Sequence, residues 1–235
     1  MTESGAVLAC PDPKHCPVGD LGDDVAFATT SLQTNAPWWR CYDSTWGYDE
    51  FNPGNGDTRF APFVDDSGTP VPTSYLATER PAALLETVFH DIHQSADRII
   101  YEADLRRMNL CASLAPTSAV LVDLRDDSLR AVGVDRSALV STPTEHYPCT
   151  RRVARALYLR YPNAHGLIWH SRQAELIQAM PVEVVILFGD RYPSGRGGWQ
   201  RVGFGSIALV EGPGRILVDE MASLLGAVVI PMDGI

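Results

Sequence analysis

The stretch from Ser74 to Ile92, SYLATERPAALLETVFHDI, joins a short strand to a segment with helical periodicity. Pro81 stands where a helix can begin, because proline is favoured in the first helical turn. On a helix through this segment, Glu86, His90 and His93 would be spaced i, i+4 and i+7 and would share a face. An acid and two histidines on one face are typical of a metal site. The alternative is that the glutamate takes part in a reaction that needs no metal.

The rest of the chain mixes strands and helices without the regular βαβ alternation of a doubly wound sheet. Apolar patterns predict strands at residues 37–44, 73–79, 118–124, 165–172 and 182–190. Helical periodicity predicts helices at residues 82–96 and 148–162. The Gly-rich residues 196–210 are predicted to form a hairpin, and residues 214–232 a strand, a short helix and a strand. We therefore expect an α+β fold.

Two segments are rich in residues that interrupt regular structure. Residues 1–35 contain many Pro, Gly, Asp and Thr and are expected to form a mostly irregular N-terminal arm. Residues 51–72 are expected to form a long loop with a short strand at 58–63. Loops of this length inside a domain are usually functional or disordered. We expect residues 36–235 to form a single domain.

Charge and cysteine content narrow the classes of function. A formal net charge of −10 argues against a nucleic-acid-binding protein, because such proteins usually carry a basic excess. No apolar run approaches the roughly 18 to 20 residues of a membrane span. The five cysteines are an odd number and include no CxxC pair, which argues for a reducing compartment and favours a cytoplasmic protein.

A metal site is one interpretation of Glu86, His90 and His93. Zinc hydrolases place two histidines on one helix face and add a third ligand and an open position. In the HExxH pattern the two histidines are four residues apart, whereas here they are three apart and the glutamate lies four residues before the first. A solvent-exposed helix face explains the histidines as well. A metal hydrolase is therefore one hypothesis for the function.

A second set of polar residues, within otherwise apolar segments, carries a family resemblance. It consists of Arg40, Arg59, Tyr75, Glu86 and Ser171. Their order, together with the segments WWRCYDS, GDTRFAPF, SYLATERPAALLETVFHDI, VLVDL, HGLIWHSR and VVILF, resembles the RES-domain family over residues 38–188. The resemblance implies a fold similar to ADP-ribosyltransferases, with mixed sheets and flanking helices, and leaves residues 190–235 as a C-terminal extension. It also implies a bacterial toxin that degrades NAD or transfers from it.

The resemblance implies a role for each of the five residues. Glu86 and Ser171 match the family's glutamate and serine. Arg40, Arg59 and Tyr75 match its two arginines and its tyrosine. All five are implied to bind NAD+, which is the substrate, and Glu86, Arg59 and Ser171 are implied to be catalytic. Neither a metal nor a covalent nucleophile is required, so the glutamate is expected to face a ribose and the two histidines to lie on the helix surface.

These residue types suit cleavage of the bond between nicotinamide and ribose, which passes through an oxocarbenium-like transition state. A carboxylate at the ribose hydroxyls stabilises the developing positive charge. Arginines bind a pyrophosphate through charge-assisted hydrogen bonds, a tyrosine stacks on the nicotinamide ring, and a serine hydroxyl orients the sugar. We expect an NAD+ phosphorylase or glycohydrolase, with phosphate or water as acceptor. An arginine near the site, such as Arg172, would favour phosphate.

Other acceptors and partners follow from the same resemblance. A protein side chain as acceptor would make the enzyme a mono-ADP-ribosyltransferase. A domain that keeps the fold without the catalysis would be an NAD-binding or interaction module. The resemblance implies an Xre-type antitoxin as partner, because unrestrained loss of NAD would stop growth, and it is compatible with a homodimer. We expect neither nucleic acid nor a membrane to be bound directly.

Overall fold

The computed structural model describes residues 8–231 of the chain, apart from five internal positions: 20, 23, 179, 196 and 197. Residues 1–7 of the predicted N-terminal arm therefore lie outside the described residues, as do residues 232–235 of the predicted C-terminal extension. Positions 196 and 197, at the start of the predicted hairpin, also lie outside them.

Strands of the described residues form one large sheet and one small sheet. The strands are β1 (Thr29–Ser31), β2 (Pro37–Asp43), β3 (Thr73–Ala77), β4 (Ile99–Tyr101), β5 (Met108–Leu114), β6 (Val120–Asp123), β7 (Gly166–His170), β8 (Glu183–Phe188), β9 (Gln200–Ala208) and β10 (Val228–Ile230). The large sheet has the order β1-β6-β7-β8-β3-β2-β5-β9, and its neighbours are antiparallel except for β6 and β7. The small sheet pairs β4 with β10 in parallel. The expected α+β fold with mixed sheets and flanking helices is confirmed.

Six helices accompany the sheets in the part of the chain that the structure describes. They are α1 (Arg80–Leu85), α2 (Glu102–Leu105), α3 (Asp126–Ala131), α4 (Arg136–Leu139), α5 (Tyr147–Arg160) and α6 (Gly212–Leu225). The helix predicted at 148–162 is confirmed as α5, which ends before Pro162 because a proline disfavours helical geometry in the residue before it. None of these helices combines the length and the apolar character of a membrane-spanning segment.

The two faces of the large sheet are covered differently. Alternate side chains of a strand point to opposite faces. On one face, Tyr75 of β3 and Trp169 of β7 pack into a large apolar core that also contains residues of α1, α5 and α6. On the other face, Leu76 and Ile168 pack into a smaller cluster with loop residues such as Trp199. We call these the helix-covered face and the loop-covered face.

Helix α1, predicted to extend over residues 82–96, ends at Leu85. Glu86 is its C-terminal capping residue, with φ −85° and ψ 1°. The hydroxyl of Thr87 donates a hydrogen bond to the backbone oxygen of Ala83 at 2.7 Å. That carbonyl would accept the Thr87 amide in a continued helix, so the side chain competes with helix propagation. The next residues form turns, and the predicted helix face shared by the glutamate and the two histidines is wrong.

The C-terminal part of the chain also differs from its prediction. The Gly-rich segment predicted as a hairpin at 196–210 continues as the single strand β9. Gly203 and Gly205 have φ of +70° and +86°, in the region that favours glycine, and the register with β5 shifts there. The extra residues bulge out instead of reversing the strand. The strand predicted at the start of 214–232 is wrong as well, because those residues belong to α6 and bury Val218 in the core.

The long loop predicted at 51–72 lacks the strand that we expected at 58–63. Residues 58–63 are all described and are irregular, with bends at 59, 60 and 62. Both the backbone amide and the hydroxyl of Thr58 donate to the backbone oxygen of Ala61 at 2.9 Å. The backbone therefore pairs locally, as a turn, rather than with a neighbouring strand.

The N-terminal arm is more ordered than its composition predicts. Residues 29–31 form β1, which pairs antiparallel with β6 at the edge of the large sheet. Val18 and Phe27 are only 4% and 5% exposed and belong to the core of the helix-covered face. Much of the described arm is irregular, but it contributes an edge strand and core side chains to the fold.

Candidate active site

A cleft of about 860 Å³ opens on the helix-covered face beside β2 and β3. Its lining includes Tyr75, Glu86 and His90, and the same three residues also line a smaller adjoining pocket that contains Arg59 and Arg172. Clefts of roughly 300 to 1,000 Å³ are typical of small-molecule and cofactor sites. The glutamate thus stands where a ligand-sized cleft meets a pocket with two arginines.

Glu86 and Ser171 form a hydrogen-bonded pair although they are 85 residues apart in the chain. The Ser171 hydroxyl donates to Oε1 of Glu86 at 2.6 Å and accepts the backbone N–H of Ala174 at 3.1 Å. Ser171 follows β7 directly and is fully buried, and its own N–H bonds to the backbone oxygen of Val182 at 2.8 Å. These contacts fix the direction of its single O–H donor. Within the described residues, no group hydrogen-bonds Oε2 of Glu86, which leaves that oxygen available to a ligand.

The surroundings of Glu86 shift its ionisation. Burial raises the pKa of the Glu86 carboxyl above its usual range, while the hydrogen bond from Ser171 and the charge of Arg59 act in the opposite direction. Desolvation disfavours the charged form of a carboxyl group, whereas a donor and a nearby cation favour it. The carboxylate would be stabilised further by a cationic ligand in the cleft.

Arg59 is held by the segment between α4 and α5. Its Nη1 donates to the backbone oxygen of Thr142 at 3.0 Å, and its guanidinium lies over the ring of Tyr147, 5.0 Å from the centroid. The residue is 7% exposed. A guanidinium over an aromatic face gains cation–π stabilisation, and it retains donors of its five-N–H fork for an anion.

Tyr75 anchors the loop that carries Arg59. Its hydroxyl accepts the backbone N–H of Phe60 at 3.1 Å and is hydrogen-bonded to the hydroxyl of Thr58 at 2.8 Å. Its ring meets that of Trp169 edge-on, with centroids 5.8 Å apart. Burial raises the pKa of the Tyr75 hydroxyl to about 12. Tyr75 therefore stays neutral and positions the loop, while its ring contributes to the cleft wall.

His90 belongs to a polar network rather than to an exposed helix face. Its Nδ1–H donates to the backbone oxygen of Thr87 at 2.7 Å, and its Nε2 lies 2.7 Å from Oδ2 of Asp91. Tyr147 donates to the other carboxylate oxygen of Asp91 at 2.8 Å. Burial opposes the charged imidazolium, but the hydrogen bond and charge of Asp91 outweigh it, and the pKa of His90 is raised. Both ring nitrogens face oxygen acceptors, so the contacts favour the protonated form of the ring beside Glu86.

His93 is turned to a different partner. Arg172 donates to its Nε2 at 2.9 Å, and burial together with the charge of Arg172 lowers the pKa of the His93 imidazole. Gln173, next in the chain, donates to the backbone oxygen of His90. The strand end thus delivers Arg172 and Gln173 to one wall of the smaller pocket and the buried Ser171 to Glu86.

The geometry does not favour the interpretation of His90 and His93 as metal ligands. The ring nitrogens of His90 both have protein partners, and Nε2 of His93 accepts from an arginine. Among the described residues, the group of His, Cys, Asp and Glu atoms close enough to share an ion contains neither histidine. The metal hydrolase that we considered from the sequence therefore lacks a ligand set here.

Arg40 does not join the other predicted site residues. It alternates along β2 with Cys41, which packs into the core of the helix-covered face, so Arg40 points to the loop-covered face. Its guanidinium is buried there and donates to the backbone oxygens of Tyr48 and Glu50 at 2.6 and 2.5 Å. The structure gives it a role in holding that loop and places it across the sheet from Glu86.

Four of the five predicted residues, Arg59, Tyr75, Glu86 and Ser171, meet at one site. The structure adds four residues to this site. His90 and Arg172 had been considered from the sequence, as a metal ligand and as a cation that would favour phosphate, whereas Asp91 and Tyr147 had not been singled out. Tyr147 could not be predicted as a site residue from the sequence, because an aromatic residue at the start of a helix is usually part of the core. Asp91 could be noticed only as the acid next to His90.

The RES domain family matches residues 37–196, about two thirds of the chain. This chain belongs to the RES domain family. The resemblance seen in the sequence is confirmed, and the matched range covers every residue of the cluster around Glu86. No curated protein matches the sequence.

Among solved structures, this chain is similar to a chain of the MbcT–MbcA toxin–antitoxin complex of M. tuberculosis, with a TM-score of 0.51. The two chains share 16% sequence identity, and the likeness covers 80% of this chain and 89% of the other. At this identity the similarity concerns the fold. It supports the mixed α+β architecture described above.

Proposed function

We propose that this RES domain protein cleaves the nicotinamide–ribose bond of NAD+ and acts as the toxin of a toxin–antitoxin pair. The observation that carries the proposal is the buried pair of Glu86 and Ser171 at the junction of a ligand-sized cleft and a pocket with two arginines. Membership of the RES domain family supplies the substrate class, because the sequence resemblance implies NAD as substrate.

In this mechanism Glu86 binds the ribose and stabilises the transition state. As the bond to nicotinamide breaks, the neutral nicotinamide leaves and positive charge develops on the ribose. Oε1 is held by Ser171, so Oε2 is the atom that faces the ribose hydroxyls. The raised pKa of the Glu86 carboxyl reflects a partly desolvated site, in which electrostatic stabilisation is stronger than in water.

The arginines of the smaller pocket suit the anionic part of the substrate. Arg59 and Arg172 both line this pocket together with Glu86. Guanidinium groups form charge-assisted and often bidentate bonds to phosphate oxygens. We assign Arg59 to the pyrophosphate, and Tyr75 contributes its ring to the nicotinamide side of the cleft. Arg40, on the opposite face of the sheet, has no direct part in this mechanism.

The molecule that accepts the ADP-ribosyl group decides the class of enzyme. Water would make the protein an NAD+ glycohydrolase and inorganic phosphate an NAD+ phosphorylase. Arg172 lines the pocket beside Glu86 and offers a cation for a phosphate acceptor in addition to the one that Arg59 provides. We therefore place phosphorolysis first and hydrolysis second.

The test is an assay of nicotinamide release by the purified protein incubated with NAD+, with and without inorganic phosphate. We expect Glu86→Gln to reduce turnover by about 10²- to 10³-fold, because it removes one charge interaction made in the transition state. Glu79→Gln is the matched control, since Glu79 is exposed at the start of the same helix. Release that requires phosphate identifies a phosphorylase, and release without phosphate a glycohydrolase.

Absence of nicotinamide release under both conditions would contradict the proposal. Transfer of labelled ADP-ribose to protein would then identify a mono-ADP-ribosyltransferase. Binding of NAD+ with neither outcome would identify a non-catalytic NAD-binding module.

For the partner we propose an antitoxin of the Xre type, acting in the cytoplasm where NAD is consumed. The similarity to a chain of a toxin–antitoxin complex supports an antitoxin, and the sequence resemblance supplies its type. A homodimer remains part of the proposal. We expect growth arrest when the protein is expressed alone and normal growth when Glu86→Gln is expressed at the same level.

A further inference from the structure

A second cluster of chemically active side chains lies outside the Glu86 site, where the N-terminal arm meets the start of α5. It consists of Cys10, Cys16, His146 and Cys149, with one ligand atom from each residue and all four atoms within 4.8 Å of one another. Sequence spacing alone did not reveal it, because the arm and α5 are more than 120 residues apart.

The distances within this cluster match a tetrahedral zinc site. Cys16 Sγ lies 3.6 Å from Cys149 Sγ, and His146 Nδ1 lies 3.8 Å from the Sγ atoms of both Cys10 and Cys149. Around a tetrahedral Zn²⁺ with ordinary bond lengths, two sulfurs are about 3.8 Å apart and a sulfur and a nitrogen about 3.6 Å. Three of the six edges of a coordination tetrahedron are thus within about 0.2 Å of these lengths, and the other three do not exceed 4.8 Å.

Local structure explains how the chain presents these ligands. His146 immediately precedes α5 and Cys149 lies in its first turn, so the two side chains are three residues apart on one side of the helix start. Cys10 and Cys16 flank a turn of the arm. His146 is 7% exposed and Cys149 fully buried, whereas Cys10 and Cys16 are half-buried, so the α5 side of the site is shielded from solvent.

A disulfide or a set of thiol hydrogen bonds accounts for only part of the cluster. A disulfide requires about 2 Å between two sulfurs and would leave the third cysteine and the histidine without a role. Thiol hydrogen bonds are weak, since S–H is a poor donor, and they give no reason for three thiols to surround one imidazole nitrogen. Three thiolates and an imidazole are the donor set that zinc favours, and they are unsuited to Mg²⁺ or Ca²⁺.

We propose that Cys10, Cys16, His146 and Cys149 bind one Zn²⁺ ion. Four protein ligands close the coordination sphere, which makes the site structural rather than catalytic. This ion lies apart from the Glu86 site, and the NAD+ chemistry proposed there does not use a metal.

The zinc site would hold the arm against the element that supports Arg59. Tyr147 follows His146 directly and stacks on the Arg59 guanidinium, and the hydroxyl of Thr150 donates to the Arg59 backbone oxygen at 2.5 Å. A zinc ion at the start of α5 thus fixes one wall of the arginine pocket.

The experiment measures the metal content of the full-length chain, purified under reducing conditions from zinc-containing medium. We expect one zinc per chain in the wild type and a loss of at least tenfold in the double variant Cys10→Ala/Cys16→Ala. Cys111→Ala is the control, because Cys111 is a buried cysteine in β5 outside the cluster. Equal zinc in the double variant and the control would overturn the proposal, and iron in place of zinc would overturn the choice of metal.

A second measurement needs no variant and covers the case in which the double variant fails to fold. The metal-free wild-type chain is titrated with Co²⁺, and we expect visible absorption bands of tetrahedral cobalt with thiolate-to-metal charge transfer, saturating at one equivalent. Added Zn²⁺ should abolish these bands. Failure of the wild type to take up either metal would overturn the proposal, whatever the outcome of the NAD+ assay.

Discussion

At the scale of single residues, the Glu86 carboxylate depends on one donor for its orientation and charge. The Ser171 hydroxyl donates to it, and this bond opposes the rise in the Glu86 pKa that burial causes. Because the hydroxyl is fully buried and also accepts the Ala174 amide, a substitution at Ser171 acts directly on the carboxylate. The pair is the most sensitive point of the proposed active site.

We expect Ser171→Ala to lower kcat/KM about tenfold or more and to shift its acid limb to higher pH. Loss of a hydrogen bond to a charged group costs about 1.5 to 3 kcal/mol, and without it the Glu86 pKa rises further, so the active carboxylate forms at higher pH. A pH profile of nicotinamide release measures both effects. Ser223→Ala, at an exposed position of α6, is the control. An unshifted acid limb would show that Glu86 is not the group that titrates.

The pair of His90 and Asp91 predicts how stability depends on pH. The His90 pKa is raised above 6.5, so its contribution is fully present below that pH and is lost as the pH rises through the folded-state pKa. Burial alone would raise the pKa of Asp91, but the hydrogen bond and the charge of His90 lower it below 3.8. The contribution of Asp91 to stability is therefore present above that pH and is lost in stronger acid.

Asp91→Asn should therefore reduce the free energy of unfolding more at pH 5.5 than at pH 8.5. Urea denaturation at the two pH values measures the difference, with the exposed Asp97→Asn as control. The hydroxyl of Tyr147 donates to Asp91 at both pH values, so a change in that bond is the same at both and does not account for a difference. An equal loss of unfolding free energy at both pH values would mean that the contact with Asp91 does not keep His90 protonated.

At the scale of elements, the end of β7 decides where Ser171 stands. β7 packs closely against β8, and Gly166 at its start leaves no room for a side chain: an added Cβ would lie 2.0 Å from the backbone oxygen of Ile186. The absence of a side chain at this position allows the strand to approach its neighbour and to deliver Ser171 to Glu86.

We expect Gly166→Ala to lower the free energy of unfolding by about 3 kcal/mol, because the neighbour is backbone and cannot rotate away. Activity should fall as well, since a displaced β7 moves Ser171. Chemical denaturation measures the first effect and nicotinamide release the second. Gly19→Ala is the control, because a Cβ there meets nothing within 4 Å. A stable Gly166→Ala protein would contradict the close packing of the two strands.

At the scale of the whole molecule, the arm is part of the folded unit. It adds an edge strand to the sheet, buries Val18 and Phe27, and brings two cysteines to α5. The predicted division into an arm, residues 1–35, and a single domain, residues 36–235, can therefore be tested by removing the arm.

Deletion of residues 1–35 should lower the thermal midpoint by about 10 °C. Exposing or removing a buried apolar side chain costs about 1.5 to 3 kcal/mol, and in a chain of this size each kcal/mol shifts the midpoint by roughly 2 to 4 °C. The deletion also exposes the edge of β6, which favours aggregation. Thermal unfolding of the two chains makes the comparison. An unchanged midpoint would establish residues 36–235 as an independent domain.

Elements with a strong, continuous pattern could be predicted from the sequence. Strands β2, β3, β6, β7 and β8 and helix α5 lie where the apolar periodicity placed them. The predictions were wrong where a side-chain hydrogen bond or a glycine conformation changes an element that periodicity alone would continue. α1 ends at Leu85, where the Thr87 hydroxyl competes for the Ala83 carbonyl, and β9 does not turn back because two glycines allow a bulge.

The family, the α+β class and four residues that meet at one site, Arg59, Tyr75, Glu86 and Ser171, could be predicted from the sequence alone. The fold class follows from periodicity, and the family and the four residues follow from the resemblance of the residue order to the RES-domain family. That Arg40 lies across the sheet, and that Cys10, Cys16, His146 and Cys149 come together, is visible in the three-dimensional structure alone. Which face a side chain occupies depends on strand register, and distant segments meet only when burial of the core brings them into contact.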